Sequence, residues 1–215
     1  MTPPRIAVVM SRFPAVTETF ILRELVELER QGAQIELAPL LRDRVSVLHP
    51  DAAVWDARAH YTPFLDGAIV AANLAALARA PLRYLGTLLR RRGVAHVHAH
   101  YATHPAAAAY VISRVHPRGE PDLPYSVTVH AHDIFVSQAG LALKLGAARF
   151  VRCISQFNVE FLARTLSARG TPLDPDRLCV LHCGIHAERY AHRPLPGAPG
   201  RERSARLLCI ASHRP

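Results

Sequence analysis

The sequence predicts an α/β fold built on a single doubly wound, mainly parallel sheet. Three observations predict it. Half of the 215 residues are hydrophobic, enough for one good core with little left for a second domain. Short apolar runs of the kind that form strands buried on both faces recur along the chain. Between them lie segments with helical periodicity, opened by capping residues or Pro and closed by Gly, and such alternation puts active residues at the carboxyl ends of the strands.

Residues 6–10 (IAVVM) give the first strand, followed by a loop over 11–16. Thr17 is placed to cap the next helix, Glu18 suits its first turn, and Ile21, Leu22, Leu25, Val26 and Leu28 make an apolar stripe that ends at Gly32. Residues 35–40 read as a second strand, and a helix opened by Pro81 runs to Arg92 ahead of a third strand over 94–100. Residues 125–130, 148–154 and 178–182 supply further strands, with a helix over 155–169 closed by Gly170. The stretch 192–200 is dense in Pro, Gly and Arg and reads as a linker. The expected organisation is a lobe over residues 1–190, a linker over 191–204, and the first strand of a further lobe within 205–215.

The formal charge of +9 is almost wholly arginine, Lys144 being the only lysine. A GC-rich coding sequence produces the same bias. No stretch interleaves basic and aromatic residues as a base-stacking groove requires, so nucleic acid is not expected as a partner. A membrane surface or a phosphate-bearing ligand accounts for the charge at least as well. Cys153, Cys179, Cys183 and Cys209 form no C-x-x-C pair, and three of them fall in apolar strand-like runs; reduced, structural thiols are expected, as in a cytosolic protein. The first residues show no charged head leading into an apolar signal core, and no window reaches the ~18 uncharged apolar residues of a membrane span. A cytoplasmic location with at most peripheral membrane contact is expected.

Three strand ends carry polar clusters. Around residues 11–19, a turn between strand and helix brings Arg12, Glu18 and Thr19 to one rim, where a helix N-terminus favours anions; a plain helix start explains the same residues. No G-x-G-x-x-G is present, so a dinucleotide is not indicated. The second cluster is His96, His98 and His100 on one face of a strand, followed by Tyr101 and His104. Alternate histidines can ligate zinc, but a metal needs a further converging ligand that the sequence does not assign, and structural or rim histidines are the expectation. The third is an apolar strand running into His130, His132 and Asp133, where imidazole and carboxylate suit hydrogen bonding to a ligand. The dinuclear hydrolase pattern H-x-H-x-D-H is not met, because Ile134 and Phe135 occupy its last two places.

Five stretches carry a resemblance: 11–24 (SRFPAVTETFILRE), 96–105 (HVHAHYATHP), 129–135 (VHAHDIF), 154–158 (ISQFN) and 180–185 (VLHCGI). In this order and spacing the chain resembles the GT-4 group of glycosyltransferases with the two-lobe GT-B fold, especially exopolysaccharide and colanic-acid-type enzymes. The resemblance implies a Rossmann-like N-terminal lobe and a retaining transfer of sugar from a nucleotide-sugar to an acceptor hydroxyl, with no metal and no cofactor. His130 matches the histidine beside the donor sugar and is the expected catalytic residue; Arg12, Glu18, Thr19, His100, His132, Asp133 and Gly184 are the expected substrate contacts. In front-face chemistry a hydrogen-bonding histidine supports developing charge and need not act as a base.

The family's second lobe, with its basic pair and paired glutamates, has no counterpart here, and His186 stands where the linker motif usually has Asp. A truncated gene, a frameshift or a separate donor-lobe chain each accounts for this. The implied partners are a nucleotide-sugar donor and a lipid-linked or polysaccharide acceptor. Peripheral membrane contact through the leucine- and arginine-rich segment 68–92 is one reading of that segment, and leucines covering the sheet is the other. A catalytically silent acceptor-binding module is the alternative function, and a metal-dependent hydrolase built on the histidine clusters a distant one.

Overall fold

The computed structural model describes residues 3–15, 18–43, 45, 49–61, 80–116, 120–185 and 187–189. Thr17, the 68–79 part of the leucine- and arginine-rich segment, His186, the linker expected over 191–204 and the strand expected over 205–211 lie outside these residues. The chain divides into two units, Met1–Gly184 and Ile185–Pro215. In the second, the described structure is a 3-10 turn at Ala187–Arg189.

The first unit is a six-stranded, wholly parallel α/β sheet in the order β2-β1-β3-β4-β5-β6. The strands are β1 (Arg5–Phe13), β2 (Gln34–Arg42), β3 (His96–His100), β4 (Tyr125–Val129), β5 (Phe150–Cys153) and β6 (Leu178–Val180). The chain runs outward from β1 to β2 and then returns past β1 to β3. The connections after β1 and β3 therefore diverge, which opens a crevice at their carboxyl ends, the usual ligand position of such sheets.

Two-residue alternation sorts each strand between two layers. Ala7 and Val9 of β1, Val97 and Ala99 of β3, Val127 and Val129 of β4, and Val151 and Cys153 of β5 enter one core. Helices α3 (Ala80–Arg91), α4 (His104–Ser113), α6 (Leu141–Gly146) and α7 (Gln156–Ser167) cover that layer with Leu85, Leu89, Ala106, Ala109, Ile112, Leu141, Leu145, Leu162 and Leu166. On the other face Val8 and Met10 pack with Ile21, Leu22 and Leu25 of α1 (Thr19–Arg30) and with Ala52 and Trp55 of α2 (Pro50–Arg58). A short helix, α5 (His132–Phe135), follows β4.

Several elements differ from the sequence reading. The loop expected over 11–16 begins only after Phe13, because Arg12 and Phe13 continue the ladder against Leu41 and Arg42. Glu18 is the N-cap of α1 rather than a first-turn residue, and its side chain makes no cap bond. Helix α4 escaped the reading because Ala-rich HPAAAAYVIS shows no polar stripe; it is buried at Pro105, Ala106, Ala108, Ala109, Ile112 and Ser113. Cys153 is buried as expected, but Cys179 and Cys183 are exposed free thiols, since β6 is the last strand of the sheet. In the described part of the leucine- and arginine-rich segment, Leu85 and Leu89 enter the core. Arg90 donates to the carbonyls of Val115, Ser113 and Pro121 at 2.6, 3.2 and 3.0 Å, so its guanidinium ties α3 to the strand-entry loop. No helix among the described residues is long and apolar enough to cross a membrane.

Candidate functional site

The carboxyl ends of β1, β3 and β4 converge on His130, which directly follows β4 and is 8% exposed. Its ring is enclosed by Tyr101 at 4.4 Å, Phe20 at 5.0 Å and His100 at 5.8 Å between centroids. Its backbone is pinned at both ends. The N–H donates to Asp133, 3.1 and 3.3 Å from the two carboxylate oxygens, and the carbonyl accepts from Asn158 Nδ2 at 2.6 Å. The Nε2 atom is buried and has no hydrogen-bond partner among the described residues. Burial, reinforced by the charge of Arg152, lowers the His130 pKa to about 4. The ring is therefore neutral near pH 7, able to donate or accept a hydrogen bond but carrying no charge.

Below His130 the face of the sheet opposite the larger core carries a buried polar layer. His98 hydrogen-bonds Ser126 Oγ through Nδ1 at 2.7 Å and Thr128 Oγ1 through Nε2 at 2.8 Å; His96 shares Ser126 Oγ at 2.7 Å. His100 Nε2 lies 3.7 Å from Glu24 Oε1, and its Nδ1 is buried and unpartnered. Burial holds His98 and His100 well below the ordinary imidazole range, with the neighbouring rings and Arg152 adding to the shift. Arg152 of β5 closes the layer: it pairs with Glu24 and donates to the carbonyls of Leu181 at 3.1 Å and His182 at 3.4 Å. That guanidinium ties α1 to the segment leading into Gly184.

Glu24, His98 and His100 bring ligand-type atoms within 4.8 Å of one another, the convergence that the sequence did not supply. Both His98 nitrogens are hydrogen-bonded to hydroxyls and Glu24 already neutralises Arg152. A dication would have to displace those partners and sit beside a guanidinium, so the donor set is a poor fit for a metal.

The expected substrate contacts fall into three groups. Glu18 and His100 join His130: Glu18 lies beside Tyr101, whose ring packs on that of His130, and burial raises the Glu18 pKa. Asp133 is adjacent but turned inward, accepting from the backbone N–H of Ala102 at 2.8 Å as well as from His130. It fixes the ends of β3 and β4 against each other, and burial pushes its carboxyl upward. Arg12, Thr19, His132 and Gly184 are peripheral: Arg12 lies 3.8 Å from Asp43, Thr19 opens α1 half-buried, and His132 and Gly184 are exposed. Sequence reasoning missed Phe20, Glu24, Arg152 and Asn158 as site-builders and left Tyr101 without a role. Arg152 offered a signal, a charged residue inside an apolar strand. A cavity of about 270 Å³ lined by Ser113, Arg114, Tyr125, Arg149 and Arg177 lies by the start of β4, the opposite end from these groups, and has no part in them.

No protein-family model matches the chain, and no curated protein matches it. Solved structures do. A glycosyltransferase from Rickettsia africae ESF-5 superposes with a TM-score of 0.55 at 12% identity, over 87% of this chain and 45% of that protein. A protein described as a UDP-N-acetylglucosamine 2-epimerase from Listeria monocytogenes superposes at 0.53 and 11% identity, over 83% of this chain and 45% of its own. The chain thus spans less than half the length of either. At such identities the likeness establishes architecture: this is a Rossmann-like parallel α/β lobe of the kind that both proteins carry.

Proposed function

We propose that the chain is the acceptor-side lobe of a retaining, GT-4-type glycosyltransferase that moves a sugar from a nucleotide-sugar to an acceptor hydroxyl in surface polysaccharide synthesis. The observation that carries this reading is His130: a neutral imidazole at the carboxyl end of β4, its ring against Phe20 and Tyr101 beside the crevice between β1 and β3, braced by Asp133 and Asn158 and left with an unpaired Nε2. Such a group stabilises a sugar hydroxyl or developing charge by hydrogen bonding, at a fixed position and with little reorganisation. The fold shared with a glycosyltransferase supports the same reading. A lipid-linked acceptor would bring the lobe to a membrane surface, and a polysaccharide acceptor would not.

Saturation-transfer NMR with nucleotide-sugars tests it. Sugar-ring protons are expected to saturate more strongly than base protons, and the effect is expected to vanish in His130→Ala. Saturation dominated by the base, or unchanged in the variant, would place the sugar elsewhere. The length of the two solved relatives favours a second lobe that completes the enzyme. In that completed enzyme, His130→Ala is expected to lower turnover by the roughly 2–4 kcal/mol of a lost transition-state hydrogen bond.

A further inference from the structure

We propose that Glu18 and Tyr101 form a hydroxyl-recognition subsite beside His130, in which the free carboxylate oxygen of Glu18 accepts a hydrogen bond from one hydroxyl of the bound sugar. This rests on the reading of the site as a sugar-binding face and goes beyond it by naming the residue that reads an individual hydroxyl.

Glu18 Oε2 is buried without a hydrogen-bond partner among the described residues. A buried acceptor left unmet forfeits the hydrogen bonds it made to water, and native structures keep few such atoms. The Tyr101 phenol is the close neighbour of this carboxylate. Tyr101 has φ of 77°, a left-handed backbone that a non-glycine residue rarely adopts. Two contacts hold it there: its N–H donates to the Thr128 carbonyl at 2.9 Å, and its ring packs 4.4 Å from that of His130. A second unpaired atom, His130 Nε2, belongs to a residue that is 8% exposed. A phenol carried on a left-handed backbone thus lies between a carboxylate with an unmet oxygen and an imidazole with an unmet nitrogen.

The chemistry of these atoms selects the ligand. A carboxylate only accepts, whereas a neutral imidazole offers a donor or an acceptor; hydroxyls on a pyranose ring match both. Phe20 and Tyr101 supply apolar ring surface for the C–H groups of the sugar. A phosphate is disfavoured at Glu18, because the carboxylate would repel a second anion at contact distance. The subsite therefore takes the uncharged sugar and not the diphosphate.

The test measures binding of UDP-glucose, UDP-galactose, GDP-mannose and the methyl glycosides of the same hexoses to the 215-residue chain by ligand-observed NMR. Wild type, Glu18→Gln and His130→Ala are compared, with deoxy analogues of whichever sugar binds. Glu18→Gln is expected to weaken sugar binding about tenfold. One deoxy analogue should bind wild type as weakly as the parent sugar binds the variant, and should lose nothing further in it. Tyr101→Phe, which leaves the carboxylate charged, is expected to weaken binding less. Equal binding by wild type and Glu18→Gln, with loss in His130→Ala, would overturn the subsite and leave the sugar-binding reading standing. Equal binding by all three proteins, or none by wild type, would overturn both.

Discussion

Arg152 on β5 is ion-paired with Glu24 on α1, 128 residues away in sequence, in a layer where its side chain is only 8% exposed. The same guanidinium reaches the carbonyls of Leu181 and His182, so a single side chain joins the first helix, the fifth strand and the segment after the last strand. Arg152→Met leaves Glu24 without its partner beside His100. Removing one member of a buried pair costs about 3–5 kcal/mol, and Glu24, at 22% exposure, puts the expectation at the lower end. Replacing both, as Glu24→Leu with Arg152→Met, is expected to cost less than the single change. Urea denaturation of the three proteins checks the order; a single variant within 1 kcal/mol of wild type, on the scale of an exposed pair, would show that the link carries little.

The buried histidines set the response to acid. His98, His100 and His130 all have folded pKa values below the ordinary 6.5, with His130 at about 4. Above pH 6.5 both folded and unfolded chains keep them neutral, and their contribution to stability is fully present. As the pH falls below 6.5 the unfolded chain takes up protons that the fold refuses, so stability is lost from 6.5 downward, to about pH 4 in the case of His130. The slope is about 1.4 kcal/mol per pH unit for each proton. Glu18 and Asp133, whose pKa values are raised, act in the opposite sense lower in the range, because there the fold binds protons first. Denaturant midpoints measured from pH 7.5 to 5 should therefore fall, and His98→Asn should flatten the fall. A flat profile for wild type would contradict the burial of these rings.

Gly86 on α3 separates local propensity from packing. In an exposed helix, Gly→Ala gains about 1 kcal/mol. Here an added Cβ would lie 2.8 Å from Val115 Cβ, and overpacking of that kind costs about 1–3 kcal/mol. Gly86→Ala is therefore expected to destabilise, and Gly86→Ala with Val115→Ala to recover part of the loss. A rise in melting temperature for the single variant would mean that α3 and Val115 are farther apart.

The 215-residue chain alone is expected to bind nucleotide-sugars weakly and to transfer no sugar. On the proposed reading, a second lobe holds the nucleotide and its diphosphate. Without it the reaction forfeits the effective molarity that is worth about 7–11 kcal/mol of barrier. Calorimetry against several nucleotide-sugars, with a product assay on a polyprenyl-diphosphate-linked acceptor, checks this. Micromolar affinity or multiple turnovers would relocate the donor site to this lobe.

The parallel α/β class was legible in the sequence because β1, β4 and β5 lie in largely apolar runs and β3 alternates histidine with small apolar residues, with periodic segments between them. His130 was legible for the same reason, as a polar residue at the end of such a run. The limits of α1 and β1 were not, since Arg12 and Phe13 look like loop residues until β2 is laid beside them. Helix α4 was missed because an alanine helix buried on most sides has no stripe to read.

What the sequence determined by itself was the order of the strands and the residue types at their ends, which follow from local patterning. Tertiary structure alone decided which of those ends meet. The crossing from β2 back to β3 sets β1 between them and brings Glu18, Tyr101 and His130 together from three separate segments of the chain. Burial then gives those groups their chemistry, because desolvation keeps the imidazoles neutral and raises the carboxyls, and no local pattern encodes how deeply a side chain will be buried.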